Sequence, residues 1–278
     1  MTRLRIVDAF TDRAFAGNPA AVIRLDDRAP DQLPDESWCQ RMAAEINTPA
    51  TGFVFPADGP DVDFRLRWFT ASVELELCGH ATLASSRCLF DDGVIGPIRF
   101  RTRSGVLTAR QESSGVVTLE FPAQPAKQIT PPDGLVDALG GAEPVWVGEG
   151  GGDYLVELAD AGAVRRLQPD LAAIARYPVR GVIVTAASDV EQADFVSRFF
   201  PPSVGIAEDP VTGSAHTVLA PFWAERLGID RLTGLQVSRR TGLVSVRLVG
   251  ECAELTGAAV VVLDGELTAA VEFPVPTG

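Results

Sequence analysis

Period-two alternation is the feature that most constrains what this chain can fold into. The run "DFRLRWF" sets Phe64, Leu66 and Trp68 on one face, and "VELELC" sets Val73, Leu75 and Leu77 against Glu74 and Glu76, as in strands buried on one side. "LVSVRLVG", "CAELTG" and "AAVVVLDG" repeat the habit near the C-terminus, bounded by Gly or Asp-Gly turn signals, and are expected to form an antiparallel meander. Strands outnumber helices.

Three segments carry helical spacing. "PDESWCQRMAAEIN" follows a capping-type lead with Cys39, Met42, Ala43 and Ile46 at i, i+3, i+4 and i+7, and Asn47-Thr48-Pro49 stops it. After His80, a stripe of Ala81, Ala84 and Cys88 is closed by Asp-Asp-Gly; after Ser214, Ala215, Val218, Leu219 and Phe222 repeat the spacing and end at Gly228. Two buried helices are therefore expected to open where His80 and His216, the only two histidines, sit. Prolines cluster between residues 121 and 134, which suggests domains over 1–122 and 126–278, with the last residues free to cross back to the first. The order of parts is alike on both sides, as an internal duplication would leave it.

Composition excludes several function classes. A net charge of -13, with lysine only at Lys127 and arginines dispersed, argues against nucleic acid as a partner. No stretch approaches the roughly 20 apolar residues of a spanning helix, and "MTRLRIVDAF" lacks a signal-type apolar region, so the chain is expected to be cytoplasmic and off the membrane. Cys39, Cys78, Cys88 and Cys252 lack metal-knuckle spacing, and the histidines lack HxH or HxxxH spacing, so neither a disulfide framework nor a metal site is expected. "GEGGGD" lacks the third glycine of a dinucleotide fingerprint and leads into a strand-like "YLVEL".

The turns Cys78-Gly79-His80 and Thr212-Gly213-Ser214-Ala215 each open a buried helix, where unpaired backbone N–H groups converge as an anion site; the alternative is a turn that simply needs glycine geometry. Glu45 falls at the end of its helix, where the dipole disfavours its charge, so facing a cleft it would suit general acid–base work; otherwise it is a solvated glutamate. Asp209, extended before Pro210, would accept hydrogen bonds from a substrate or orient an imidazole, or cap a turn. A Cys78–His80 dyad is not expected, because side chains at i and i+2 do not face each other within one element.

"DAFTDRAFAGNPAAV", "MAAEIN", "LRWFTASVELELCGHATLAS" and "EDPVTGSAHTVLAPFWAERLG", in that order, resemble the phenazine-biosynthesis isomerase (PhzF-like) family over most of the chain. The resemblance implies an α+β fold like that of diaminopimelate epimerase: two similar domains, each a β-barrel-like sheet around a central helix, with the active site in the cleft between them. It implies Glu45 as the catalytic acid/base, with His80, Asp209 and Ser214 around the substrate. Gly213 and neighbouring N–H groups would receive a carboxylate, and Asn18, Cys78, Gly79 and Thr212 would line the site. The expected activity is a cofactor-independent proton shift on a small carboxylate-bearing substrate, in a homodimer. Two departures stand out. "EINTPATGF" has Pro49 and Ala50 where the family commonly has Ser and Glu, and Thr212 stands where epimerase relatives place a second catalytic cysteine, which favours one-base isomerisation. Rival readings are an epimerase pairing Glu45 with Asp209 or Cys78, and a carboxylate-binding protein without turnover.

Overall fold

The computed structural model describes residues 2–29, 33–57 and 59–268. Their contacts group into two compact units: one of the described residues within Met1–Phe15, Pro19–Glu120 and Gly257–Gly278, the other of Ala16–Asn18 and Phe121–Thr256. Among the described residues no helix is long and apolar enough to cross a membrane.

The first unit runs β1 (Arg3–Ala9), β2 (Asn18–Arg24, its first residue counted with the second unit), α1 (Glu36–Ile46), β3 (Ala50–Pro56), β4 (Phe64–Phe69), β5 (Glu74–Leu75), α2 (Gly79–Asp91), β6 (Ile98–Thr102), β7 (Gly105–Gln111) and β8 (Val117–Pro122). Its sheet is mixed: β2–β3 parallel, β3–β4 antiparallel, β4–β6 parallel, then β6–β7 and β7–β8 antiparallel. The second unit runs β9 (Lys127–Gln128), α3 (Leu135–Ala138), β10 (Trp146–Gly150), β11 (Asp153–Glu157), α4 (Ala161–Arg166), α5 (Leu171–Ile174), β12 (Val182–Ala187), β13 (Phe195–Phe200), α6 (Gly213–Leu227), β14 (Arg231–Gln236), β15 (Gly242–Val249) and β16 (Cys252–Gly257). From β11 onward its pairings are parallel, antiparallel, parallel, antiparallel, antiparallel. The two units thus share one pairing sequence, with the long helix inserted at the same step, before β6 in one and before β14 in the other.

β17 (Ala259–Glu266) pairs antiparallel with β1, from Arg3 opposite Glu266 to Ala9 opposite Ala259. The expected three-strand meander therefore stops after the β15–β16 hairpin, and its last strand belongs to the first unit. "VELELC" also departs from expectation. Only Glu74 and Leu75 pair, opposite Phe69 and Trp68, and Val73 is exposed. The physical reason is charge: the Glu74 side chain is 6% exposed because it is clamped by Arg67 and Arg103, so the acidic member of the alternation faces in.

α1 starts as its sequence requires. Asp35 caps it by accepting from the Trp38 N–H at 2.8 Å, Trp38, Cys39, Met42 and Ala43 face the core, and Asn47 ends it in the left-handed region. α2 is central to its unit, with every residue except Arg87 and Asp91 buried against β1, β3, β7 and β17. Its small side chains let strands approach closely. A Cβ on Gly52 of β3 would stand 2.7 Å from Ser85 Oγ, so no larger residue fits there without a shift. In α6 the interior Pro221 lacks the N–H that would bond Thr217 O, and the Gln124 N–H supplies that bond at 2.9 Å. Ala215, Val218, Leu219, Phe222 and Trp223 then pack on Leu155, Ile183, Phe195 and Phe199. Cys39 and Cys88 are core residues, whose thiols burial pushes up to about 12 and about 11.

Candidate active site

In the second unit the turn before α6 gathers a closed polar cluster. Asp209 forms an isolated bridge with Phe199 and leads through Pro210 and Val211 to Thr212, the extended N-cap of α6. One Asp209 oxygen accepts from Asn18 Nδ2 at 2.7 Å and the other from the Thr212 hydroxyl at 2.6 Å. Asn18 Nδ2 also donates to Val211 O at 2.8 Å, and Gln236 ties the turn together: its Oε1 accepts from the Thr212 N–H at 2.8 Å, while its Nε2 donates to Asp209 O at 2.7 Å and to Thr212 Oγ1 at 3.1 Å. Burial pushes the Asp209 carboxyl up to about 6, against the opposing pull of the Thr212 and Asn18 hydrogen bonds and the Arg180 charge. A carboxyl poised there exchanges protons near neutral pH.

Thr212 spends its hydroxyl on Asp209 and makes no side-chain cap, so the first N–H groups of α6, at Gly213 to Ala215, keep the open donors of a helix start. Ser214 stands among them, its Oγ accepting from Arg180 Nη1 at 3.0 Å. Arg180 also grips Asp153 through Nε at 3.0 Å and through a second, short contact, and its guanidinium lies 5.0 Å from the centre of the Phe199 ring. Asp153 is wholly buried, and burial raises its pKa against the lowering by Arg180. The start of α6 therefore combines backbone dipoles, a hydroxyl and a fixed cation, which suits a carboxylate.

In the first unit, Cys78 is the extended N-cap of α2 and makes no side-chain cap, Gly79 and His80 form the first turn, and Thr82 Oγ1 donates to Cys78 O at 2.7 Å. α6 uses the same device: His216 Nδ1 lies 2.8 Å from Thr212 O. Burial lowers His80 to about 3 and His216 to about 4, so both imidazoles are neutral at physiological pH. Cys78 Sγ lies 3.6 Å from His80 Nδ1 and 3.9 Å from Nε2, which corrects the expectation that these side chains do not meet. The spacing argument holds within one element; here Cys78 is extended and His80 helical, and the change of backbone between them turns both side chains to one side. Glu45 is exposed in the last turn of α1.

The structure thus brings Asn18, Asp209, Thr212, Gly213 and Ser214 together in the second unit, and Cys78, Gly79 and His80 together in the first. Arg180, Asp153 and Gln236 escaped the sequence reading. Gln236 alone left a trace, as a polar residue at an inward position of "RLTGLQ", where it is wholly buried.

A family model described as phenazine biosynthesis-like protein (PhzC-PhzF) matches residues 7–265. An uncharacterized isomerase of Pseudomonas aeruginosa is 45% identical over 263 residues, 94% of this chain and 96% of that protein. One of Halalkalibacterium halodurans is 41% identical over 271 residues, 96% and 98% of the two chains. The crystal structure of a PhzF-family protein from Enterococcus faecalis, 35% identical, superposes with a TM-score of 0.87 over 96% of this chain and 99% of that one. Matched along nearly its whole length, this chain belongs to the phenazine biosynthesis-like (PhzC-PhzF) family and is an isomerase of it.

Proposed function

We propose that the chain moves a proton between two carbons of a small carboxylate-bearing substrate, using its own acid–base groups and no cofactor. The observation that carries this reading is Asp209, a carboxyl that burial raises to a pKa of about 6 against the pull of its Thr212 and Asn18 donors, beside the uncapped start of α6. In this mechanism the substrate carboxylate sits on the N–H groups of Gly213 and its neighbours, near Ser214 and the Arg180 guanidinium. The Glu45 carboxylate removes a proton from a carbon made acidic by the adjacent unsaturation, leaving an enolate or dienolate. The protonated Glu45 then returns that proton to a different carbon. Neutral His80 donates a hydrogen bond to the developing charge, and Asp209 holds a substrate hydroxyl or ammonium. Each unit, in this proposal, is a domain whose sheet encloses its central helix. Exposed Leu243 and Val249 on β15, and Val262 and Leu263 on β17, favour a homodimer, which sedimentation would test.

A panel of small unsaturated carboxylates and amino acids, incubated with the protein in D2O and followed by NMR, tests the chemistry. Deuterium should enter the substrate with double-bond migration, and Glu45→Gln should abolish the exchange with a stability change within about 0.5 kcal/mol, as expected for an exposed side chain. Exchange that survives in Glu45→Gln removes Glu45 from the role. Inversion at one carbon without migration identifies an epimerase instead.

A further inference from the structure

Gln236 does more in the second unit than close the turn before α6. It is the last residue of β14, paired with Gly242 of β15 on one side and aligned with Ser197 of β13 on the other, and it is wholly buried. Its amide has one workable orientation. Oε1 accepts from the Thr212 N–H at 2.8 Å, while Nε2 donates to Asp209 O at 2.7 Å and to Thr212 Oγ1 at 3.1 Å. Turned over, the amide would set a donor against the Thr212 N–H and an acceptor against Asp209 O, and both bonds would be lost.

That orientation dictates the direction of the Thr212 hydroxyl. An amide nitrogen donates and accepts nothing in return, so the single hydroxyl hydrogen goes to Asp209, 2.6 Å away. Asn18 is oriented by the same logic, since its Nδ2 donates both to Asp209 at 2.7 Å and to Val211 O at 2.8 Å. Each Asp209 oxygen thus faces a committed donor. A carboxylate suits those surroundings. To accept from a protonated Asp209, Thr212 would have to turn its hydrogen away from the carboxyl, and Gln236 offers it no other acceptor. A proton on Asp209 is therefore carried on a lone pair that neither Thr212 nor Asn18 occupies.

We propose that Gln236 is a positioning residue for the acid–base chemistry: it commits the Thr212 hydroxyl to donating, so that Asp209 only receives from its own cluster and directs any proton it carries away from it. The inference rests on the isomerase reading for its purpose, but its test needs no substrate. Carboxyl-carbon NMR titration of Asp209 in the full chain, parent against Gln236→Met, reads the effect, and its result stands apart from that of the deuterium-exchange panel. The groups that act on Asp209 by charge, Arg180 lowering its pKa and Glu208 raising it, are kept in the variant, and His216, whose Nδ1 donates to Thr212 O, stays neutral. Without Gln236 the Thr212 hydroxyl is free to accept from a protonated Asp209, so the midpoint should rise by about half a unit or more. A merely structural role moves it the other way, because a loosened turn admits water and returns Asp209 toward the usual carboxylate range. A lower or unchanged midpoint overturns the proposal. Should Gln236→Met fail to fold, neutron diffraction from deuterated crystals of the parent protein, held below the Asp209 midpoint, decides it: a deuteron on Thr212 Oγ1 directed at Asp209 supports the proposal, and one on Asp209 directed at Thr212 Oγ1 overturns it.

Discussion

Thr212 donates its hydroxyl to Asp209 at 2.6 Å and leaves its own helix uncapped. One residue therefore does two things: it holds a buried carboxyl in an ionisable state, and it keeps the start of α6 open to an anion. A serine, threonine or aspartate at an N-cap ordinarily turns back on the helix and closes those donors. Here Asp209 competes for the hydroxyl and wins, because an unpaired buried carboxylate would cost more than an uncapped N–H that a ligand or water can reach.

Replacing Thr212 by Val removes a hydrogen bond that lowers the Asp209 pKa, so that pKa should rise from about 6. A carboxyl-carbon NMR titration reads the midpoint directly. An unchanged midpoint would mean that the Thr212 hydroxyl contributes nothing and that burial and the remaining partners set the value.

Acid should weaken the fold between pH 6.5 and 4 through the two histidines. Their folded pKa values, about 3 for His80 and about 4 for His216, lie below the usual 6.5, so their contribution is fully present above 6.5 and is lost as pH falls. Over that interval each is worth roughly 3 kcal/mol. Asp209 acts in the opposite sense: its pKa is raised from 3.8 to about 6, so its contribution is present below 3.8 and lost as pH rises through 6. Urea midpoints at pH 7 and 4.5 should fall with acid in the parent protein, fall further in Asp209→Asn, and fall less in His216→Gln.

Arg180→Met should destabilise the protein by about 3 kcal/mol, because it strands the buried carboxylate of Asp153. The loss lies at the low end for a buried pair because the Arg180 side chain is 31% exposed. Arg180→Met/Asp153→Asn should recover part of the loss, since the stranded charge is gone. If the double variant is as unstable as the single, the cost lies in lost packing of Arg180 on Phe199 instead.

Gly52→Ala should cost about 1–3 kcal/mol by overpacking β3 against α2, since the new methyl would meet Ser85 Oγ at 2.7 Å. Ser85 Oγ is buried without a hydrogen-bond partner, so Gly52→Ala/Ser85→Ala removes both the clash and an unsatisfied group. Thermal unfolding of the pair should place the double variant above the single.

What the sequence determined by itself is whatever depends on neighbours along the chain. The α1 pattern of Cys39, Met42 and Ala43, its Asp35 lead and its Asn47 stop follow from 3.6-residue spacing and local capping, and the structure reproduces them. The two glycine turns opening α2 and α6, each ahead of a histidine, were legible for the same reason. Tertiary structure alone decided which strand β17 joins, because pairing partners far apart in sequence leave no mark in a strand's own alternation. It also decided that Glu74 turns inward, since that depends on Arg67 and Arg103 arriving from β4 and from beyond β6 to neutralise it. The same holds for the site. Asp209 and Thr212 could be picked out from one turn, but the hold of Asn18 and Gln236 on them, and of Arg180 on Ser214, spans 191, 24 and 34 residues. A hydrogen bond depends on distance and direction in space, and over such separations only the folded chain supplies both.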